Sequence, residues 1–257
     1  MFILSEITGS IGTIILNRPE KRNALSHALI DEALSAFAEF QTASVRAVVL
    51  TATVAAGVWS AGHDISELPQ GEDPLAYSDP LERLLRNVRR FPAPVIAMID
   101  GSVWGGATDL VMNCDIVTAD ENCSFAITPS NLGLPYNTTG LLQFMRRLPL
   151  NFVKEMFFTA APISAVAAAQ WGILNHLLPA AELRSFTYKL AETIASKAPL
   201  SVSAAKEQLR ALAEADPITP EVFERIQHLR HQVYSSADYL EGIRAFYEKR
   251  KPAFAGR

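Results

Sequence analysis

The sequence predicts an α/β protein in which a largely parallel sheet is followed by a mostly helical region. Three observations carry this. Apolar runs of strand length alternate with helically spaced segments through the first half of the chain. Beyond Pro129 helical spacing dominates. Hydrophobic residues make up 49% of the 257 and charged residues 19%, the balance of a globular chain with one large core, or a core and a small appendage.

FILSEI and IGTIIL, residues 2 to 7 and 11 to 16, are strand-like and separated by TGS, a hairpin signal. NRPEKRNALS, residues 17 to 26, is a polar, basic loop. From His27 to Phe40 the pattern turns helical, with Leu29, Ala33, Leu34, Phe37 and Phe40 on one face. VRAVVLTA, residues 45 to 52, reads as a buried strand, followed by the small-residue loop GVWSAGHDISEL. Residues 71 to 80 are rich in Gly, Pro and Asp and read as an exposed segment. LERLLRNVRRF, residues 81 to 91, is an amphipathic helix stopped by Pro92. PVIAMIDGSV, residues 94 to 103, is a second buried strand running into a glycine turn, after which TDLVMNC is helical and DIVTA returns to strand. Helices are then expected at 139 to 147, 151 to 159, 164 to 170, 181 to 196, 201 to 213, 220 to 235 and 237 to 249. These are more than sheet flanking needs, and they suit a subunit interface.

A net charge of -4 gives no bulk argument for a nucleic-acid partner, although a local basic patch can serve a small anion. Cys114 and Cys123 have no CxxC or Cys/His spacing, so they read as buried free thiols rather than a disulfide or zinc site. The start, MFILSEITGS, lacks a basic region and does not read as a signal peptide, and later apolar runs fall well short of a membrane span. The expected location is the cytoplasm. His176 reads as structural, and His27, His228 and His231 lie on helices with no metal-like context.

Two loops share a design. SAGHDI, residues 60 to 65, and GSVWGGATDL, residues 101 to 110, place small residues where the chain leaves a sheet, and the second runs into a helix. Glycine lets a backbone approach a ligand closely, and an amide exposed at a helix start favours developing negative charge. Two such amides on one oxygen would form an oxyanion hole, although Gly-Gly also serves tight turns without any ligand. No GxGxxG, GxxxxGK, GxSxG, HExxH or EF-hand pattern occurs. TPSNLGLPYNTTG, residues 128 to 140, carries hydroxyls, amides and a tyrosine but no carboxylate or histidine.

NRPEKRNALS, VWSAGHDISELP, GSVWGGA, DIVTA, NLGLPYN, AQWGILNHLLP and EGIRAFYEKRKPAF together make the whole chain resemble the crotonase (enoyl-CoA hydratase/isomerase) superfamily. GHDISELP, SVWGG and LGLPYN resemble its branch that decarboxylates methylmalonyl-CoA. The resemblance implies a spiral of ββα units over residues 1 to 195, holding the CoA and thioester site, and a helical trimerisation region over 196 to 257, with trimers often pairing into hexamers. It implies an acyl-CoA thioester substrate and no cofactor or metal beyond the CoA that the substrate carries. The thioester oxygen would be held by the amides of His63 and Gly106. CoA contacts are expected from Arg18, Lys21, Arg22, Ala61, Asp64 and Ile65, with the basic cluster Lys249 to Lys251 as a further phosphate candidate.

Two departures from the hydratase pattern bear on the reaction. Hydratases handle water with two glutamates; the first position is Asp109 here, one methylene shorter, and the second is Pro129, which transfers no proton. Misplacement by about 1 Å costs on the order of 100-fold in rate. Decarboxylation needs no base, only an oxyanion hole and a group that fixes the leaving carboxylate out of the thioester plane. By the resemblance that group is Tyr136, which could otherwise be a turn-packing ring. Further acyl-pocket candidates are Trp104, also readable as a core aromatic; Asp109, also readable as a loop anchor or helix-start carboxylate; Thr128, also readable as a cap; and Asn137, also readable as the cap of the following helix. The His63 ring could deliver a proton or simply pack. Hydration or isomerisation, and CoA binding without turnover, are the rival functions.

Overall fold

The computed structural model describes all residues except 69–72, 74, 216–218 and 256–257. Its first half repeats one unit. The hairpin β1 (Ile3–Thr8) and β2 (Ile11–Leu16) precedes helix α1 (His27–Thr42), whose N-terminus is capped by the Ser26 hydroxyl accepting from the Leu29 amide. Then a long strand is followed by a short strand and a helix, three times over. These are β3 (Ala47–Ala52), β4 (Val58–Ser60) and α2 (Pro80–Arg90); β5 (Val95–Ile99), β6 (Ser102–Trp104) and α3 (Gly106–Met112); and β7 (Ile116–Asp120), β8 (Ser124–Ala126) and α4 (Thr138–Arg147). Long strands join one sheet, in the order β1-β2-β3-β5-β7. Short strands join a second sheet, β4-β6-β8. The chain therefore spirals, and the expected ββα repeat is realised.

Helix α5 (Leu150–Thr159), strand β9 (Ile163–Ser164), helix α6 (Ala165–Trp171) and strand β10 (His176–Leu178) follow, β9 closing the small sheet and β10 the large one. The main core lies between the sheets around Ile14, Val48, Trp59, Val103, Val117 and Phe125, all fully buried. Helix α7 (Ala180–Ala195) covers the other face of the large sheet, with Leu183, Ala191 and Ala195 against Val49, Ile96 and Met98. Val48 pairs with Val95 and Ile96 with Ile116, so the middle strands are apolar on both faces, as a buried parallel sheet requires. Cys114 and Cys123 are buried and free, and burial pushes both thiols up to about 12.

Helices α8 (Pro199–Ala213), α9 (Pro220–Tyr234) and α10 (Ala237–Tyr247) complete the chain. No described helix is long and apolar enough to cross a membrane. Two expectations need correction. The short strands β4, β8, β9 and β10 span two or three residues, too few for a period-two pattern to register. Residues 71 to 80 lie partly outside the described residues; of the rest, Asp73 and Leu75 are half-buried, because Asp73 pairs with Arg230 and accepts from the Tyr234 hydroxyl. The C-terminal helices also pack on the core. Helix α10 packs on residues 129–132, and a Cβ added to Gly242 would run into the Leu132 backbone.

Candidate active site

The loop after β4 and the turn after β6 meet. Leu25 donates its amide to the Gly62 carbonyl and accepts from the Asp64 amide, which pins the first loop like a short parallel bridge. Gly62 has φ +85, and a Cβ there would meet the Trp104 carbonyl and lie 3.0 Å from the Gly106 nitrogen. On the other side Gly105 has φ +52, and its amide donates to the Ala126 carbonyl. Thr108 braces the turn with its hydroxyl between the carbonyls of Val103 (3.0 Å) and Ala126 (2.8 Å). Both glycines occupy backbone that a side chain would strain or block. A Cβ on Gly106 would stand 3.4 Å from the His63 nitrogen and 2.7 Å from a Leu81 methyl. The His63 and Gly106 amides thus border one small space. Neither donates to another backbone group among the described residues outside regular helix and strand bonds.

That space opens into a cleft. Ala61, His63 and Ile65 line one side, Gly105 and Gly106 the floor, Leu75 and Leu81 a second side, and Thr128, Pro129, Leu132, Leu134 and Tyr136 the far wall. No carboxylate and no lysine or arginine lines it among the described residues.

Tyr136 is held from behind. Its ring packs edge-on against Phe144 and Phe157, and its hydroxyl donates to Asp109 at 2.7 Å. Asp109 is fully buried in the first turn of α3 and also accepts from the Asn113 amide group at 2.9 Å. Burial, and the nearby Glu82 carboxylate, push its pKa up to about 6, against the hydrogen bonds of Tyr136 and Asn113 and the charge of Arg89. Asp109 therefore stands behind the pocket wall as an anchor, not in the lining. Burial and the Asp109 carboxylate raise the Tyr136 phenol well above its ordinary value, so it stays a hydrogen donor.

His63 places its Nδ1 at 3.2 Å from the Asp64 carbonyl, which only accepts. The ring hydrogen is thus on Nδ1, and Nε2 keeps a buried lone pair without a partner among the described residues. Burial lowers the pKa of this ring although Asp79 pulls it up. Burial in turn raises that of Asp79, against the pull of His63.

Other expected site residues are placed differently. Arg18 spends its guanidinium on Asp64 at 2.7 Å, and Asp64 turns its other oxygen to Ser66, so this pair braces the loop. Lys21 and Arg22 are exposed beside the loop, and the Arg22 carbonyl accepts from the Ala61 amide. Trp104 directs its indole N–H to the Ser102 hydroxyl and leaves the lining. Asn137 caps α4 by accepting from the Gly140 amide, and its own amide group donates to Glu82, so it too is structural. In the tail cluster Arg250 is paired with Glu241 and Glu248. Leu75, Leu81, Leu132 and Leu134 were not singled out from the sequence, since an isolated leucine carries no signal of the cavity it faces.

The family model for enoyl-CoA hydratase/isomerase matches residues 6–257. The chain belongs to the enoyl-CoA hydratase/isomerase family. Among curated members it is 45% identical to the methylmalonyl-CoA decarboxylase of Escherichia coli (strain K12), over 96% of this chain and 95% of that protein. It is 35% identical to the carnitinyl-CoA dehydratase of Proteus mirabilis (strain HI4320), over 97% and 96%. A solved methylmalonyl-CoA decarboxylase in complex with 2-nitronate-propionyl-CoA superposes with a TM-score of 0.97 at 43% identity, covering 100% of this chain and 99% of that one. The shared fold extends over the whole chain, including α8 to α10.

Proposed function

We propose that this enzyme decarboxylates methylmalonyl-CoA to propionyl-CoA and CO2. One observation carries the reading: beside the two amides the cleft is lined by Tyr136 and by Pro129, which stands at one position where a water-activating member of the family needs an acid, while Asp109, at the other, is withdrawn behind the wall. The thioester carbonyl oxygen sits between the His63 and Gly106 amides. Tyr136 holds the substrate carboxylate out of the thioester plane, which aligns the breaking C–C bond with the carbonyl. As that bond breaks, its electron pair moves into the thioester and its charge settles on the oxygen facing the amides, where one donor is worth about 100- to 1,000-fold in rate. CO2 departs into a wall of leucine and proline, and the enolate carbon takes up one proton. Lys21 and Arg22, exposed beside the loop, serve the CoA phosphates in this reading, as a point charge and a planar fork respectively. The exposed apolar residues of α8 to α10 support assembly into trimers.

A coupled assay for CO2 and propionyl-CoA from racemic methylmalonyl-CoA tests this. Wild type turns over, whereas Tyr136→Phe loses about 10- to 100-fold in kcat/KM, the worth of one hydrogen bond to a charged group, while CoA still binds. Absence of CO2 from wild type overturns the reaction, and an unchanged mutant overturns the role of Tyr136.

A further inference from the structure

The fold brings together three residues far apart in sequence that the decarboxylation does not use as a set. His27 begins α1, His63 lies on the pinned loop, and Asp79 precedes α2. One donor atom from each lies within 4.8 Å of the other two. Although far apart in sequence, the two histidine rings meet edge to face at 6.4 Å.

The atoms are prepared as ligands. With its hydrogen on Nδ1, bound to the Asp64 carbonyl, His63 points a bare lone pair from Nε2, and no group among the described residues satisfies it. A ring nitrogen tied to a carbonyl behind a free one in front is the usual outer arrangement of a metal-binding histidine. Asp79 caps α2 with Oδ1 at the Leu81 amide, at 2.8 Å, so its carboxylate is held at the helix start beside the two rings. Glu67 braces His27, accepting from its amide at 2.7 Å and standing 3.7 Å from its Nε2. Two imidazoles and a carboxylate select an ion of the zinc, cobalt or nickel type over magnesium or calcium, which prefer all-oxygen sites. Tetrahedral bonds of about 2.0–2.1 Å place ligand atoms about 3.3 Å apart. Closing from 4.8 Å therefore needs a shift of about 1.5 Å, shared between an exposed histidine and an aspartate at a helix start.

We propose that His27, His63 and Asp79 form a dissociable site for a zinc-type divalent cation at the side of the acyl cleft, with a fourth position left for water. An occupied site clips the starts of α1 and α2 to the loop carrying the His63 amide.

The test titrates metal-free enzyme with Co²⁺, followed by its visible ligand-field bands, and with Zn²⁺ by calorimetry and thermal melting. The expected result is one ion per chain, tetrahedral-type Co²⁺ absorption, and a melting temperature that rises with ion concentration. His27→Gln and Asp79→Asn each weaken binding by more than about tenfold, since even outer partners of a metal site are worth 10–100-fold. Asparagine still caps α2, and residue 27 lies on the surface, so metal-free melting temperatures stay at the wild-type value. No saturable binding by wild type, or equal binding by both variants, overturns the site.

Discussion

A phenol has one hydrogen, and two groups compete for that of Tyr136. In the free enzyme it goes to Asp109, so the oxygen turned toward the cleft offers only lone pairs, which repel a carboxylate. When Asp109 carries a proton, it donates to the phenol oxygen instead, and the Tyr136 hydrogen is released to the substrate. The protonated form persists up to about pH 6, set by burial and by Glu82, and opposed by Tyr136, Arg89 and Asn113. Two outcomes follow, both with a worked sign. Because kcat/KM reports groups of the free enzyme, it declines as pH rises through about 6. Asp109→Asn, whose amide always donates, flattens that profile; a mutant profile with the same decline would remove Asp109 from the effect. For stability, the folded pKa is raised from 3.8, so the contribution is fully present below pH 3.8 and lost as pH rises through about 6. That loss amounts to about 3 kcal/mol. Urea unfolding of wild type and Asp109→Asn across this range measures it as a difference that grows with pH and then levels.

At the scale of elements, the cleft wall from Thr128 to Tyr136 owes its position to a helix more than 100 residues later. Gly242 on α10 lies so close to the Leu132 backbone that a Cβ would stand 2.9 Å from its Cα. Gly242→Ala is expected to cost about 1–3 kcal/mol, as overpacking does, and to raise KM by displacing Leu132 and Leu134 while the two amide loops stay intact. Urea melts together with steady-state kinetics check this; a destabilised mutant with wild-type KM would uncouple the helix from the wall. This dependence marks the limit of what the sequence discloses. Long strands and helices were legible because their periodicity runs over five or more residues, and the Gly62 and Gly105 loops because glycine carries a backbone signal of its own. The pairing of Asp109 with Tyr136, the retreat of Trp104 and Asn137 from the cleft, and the meeting of His27 with His63 were not. Each is set by which way a side chain turns after tertiary packing, and local spacing is silent on that.

The whole molecule leaves apolar surface that its own chain does not cover. Helix α8 buries no residue fully, yet it is fastened: Lys206 directs its ammonium to the carbonyls of Val88 (3.2 Å) and Ala93 (3.1 Å) and to Asp115 (2.7 Å). Leu200, Leu209 and Leu212 on the same helix are 85%, 69% and 75% exposed, and Leu229, Leu240 and Phe246 add apolar area on α9 and α10. Exposed leucines in such number mark an association surface, not a solvated face. If this surface holds the proposed trimer, sedimentation finds three chains together, and Leu209→Glu with Leu212→Glu yields monomers. The consequence reaches the active site. Tyr234, at the end of α9, lies 3.3 Å from the carbonyl of Pro135 and donates to Asp73 at 2.8 Å, so the residue before Tyr136 leans on a helix of the associating region. Loosening α8 to α10 by dissociation should free that contact and raise KM several-fold, while the amides of His63 and Gly106, pinned within the core, keep their spacing. A monomeric double mutant with unchanged KM would show that each chain holds its own cleft wall, and would confine the assembly to stability.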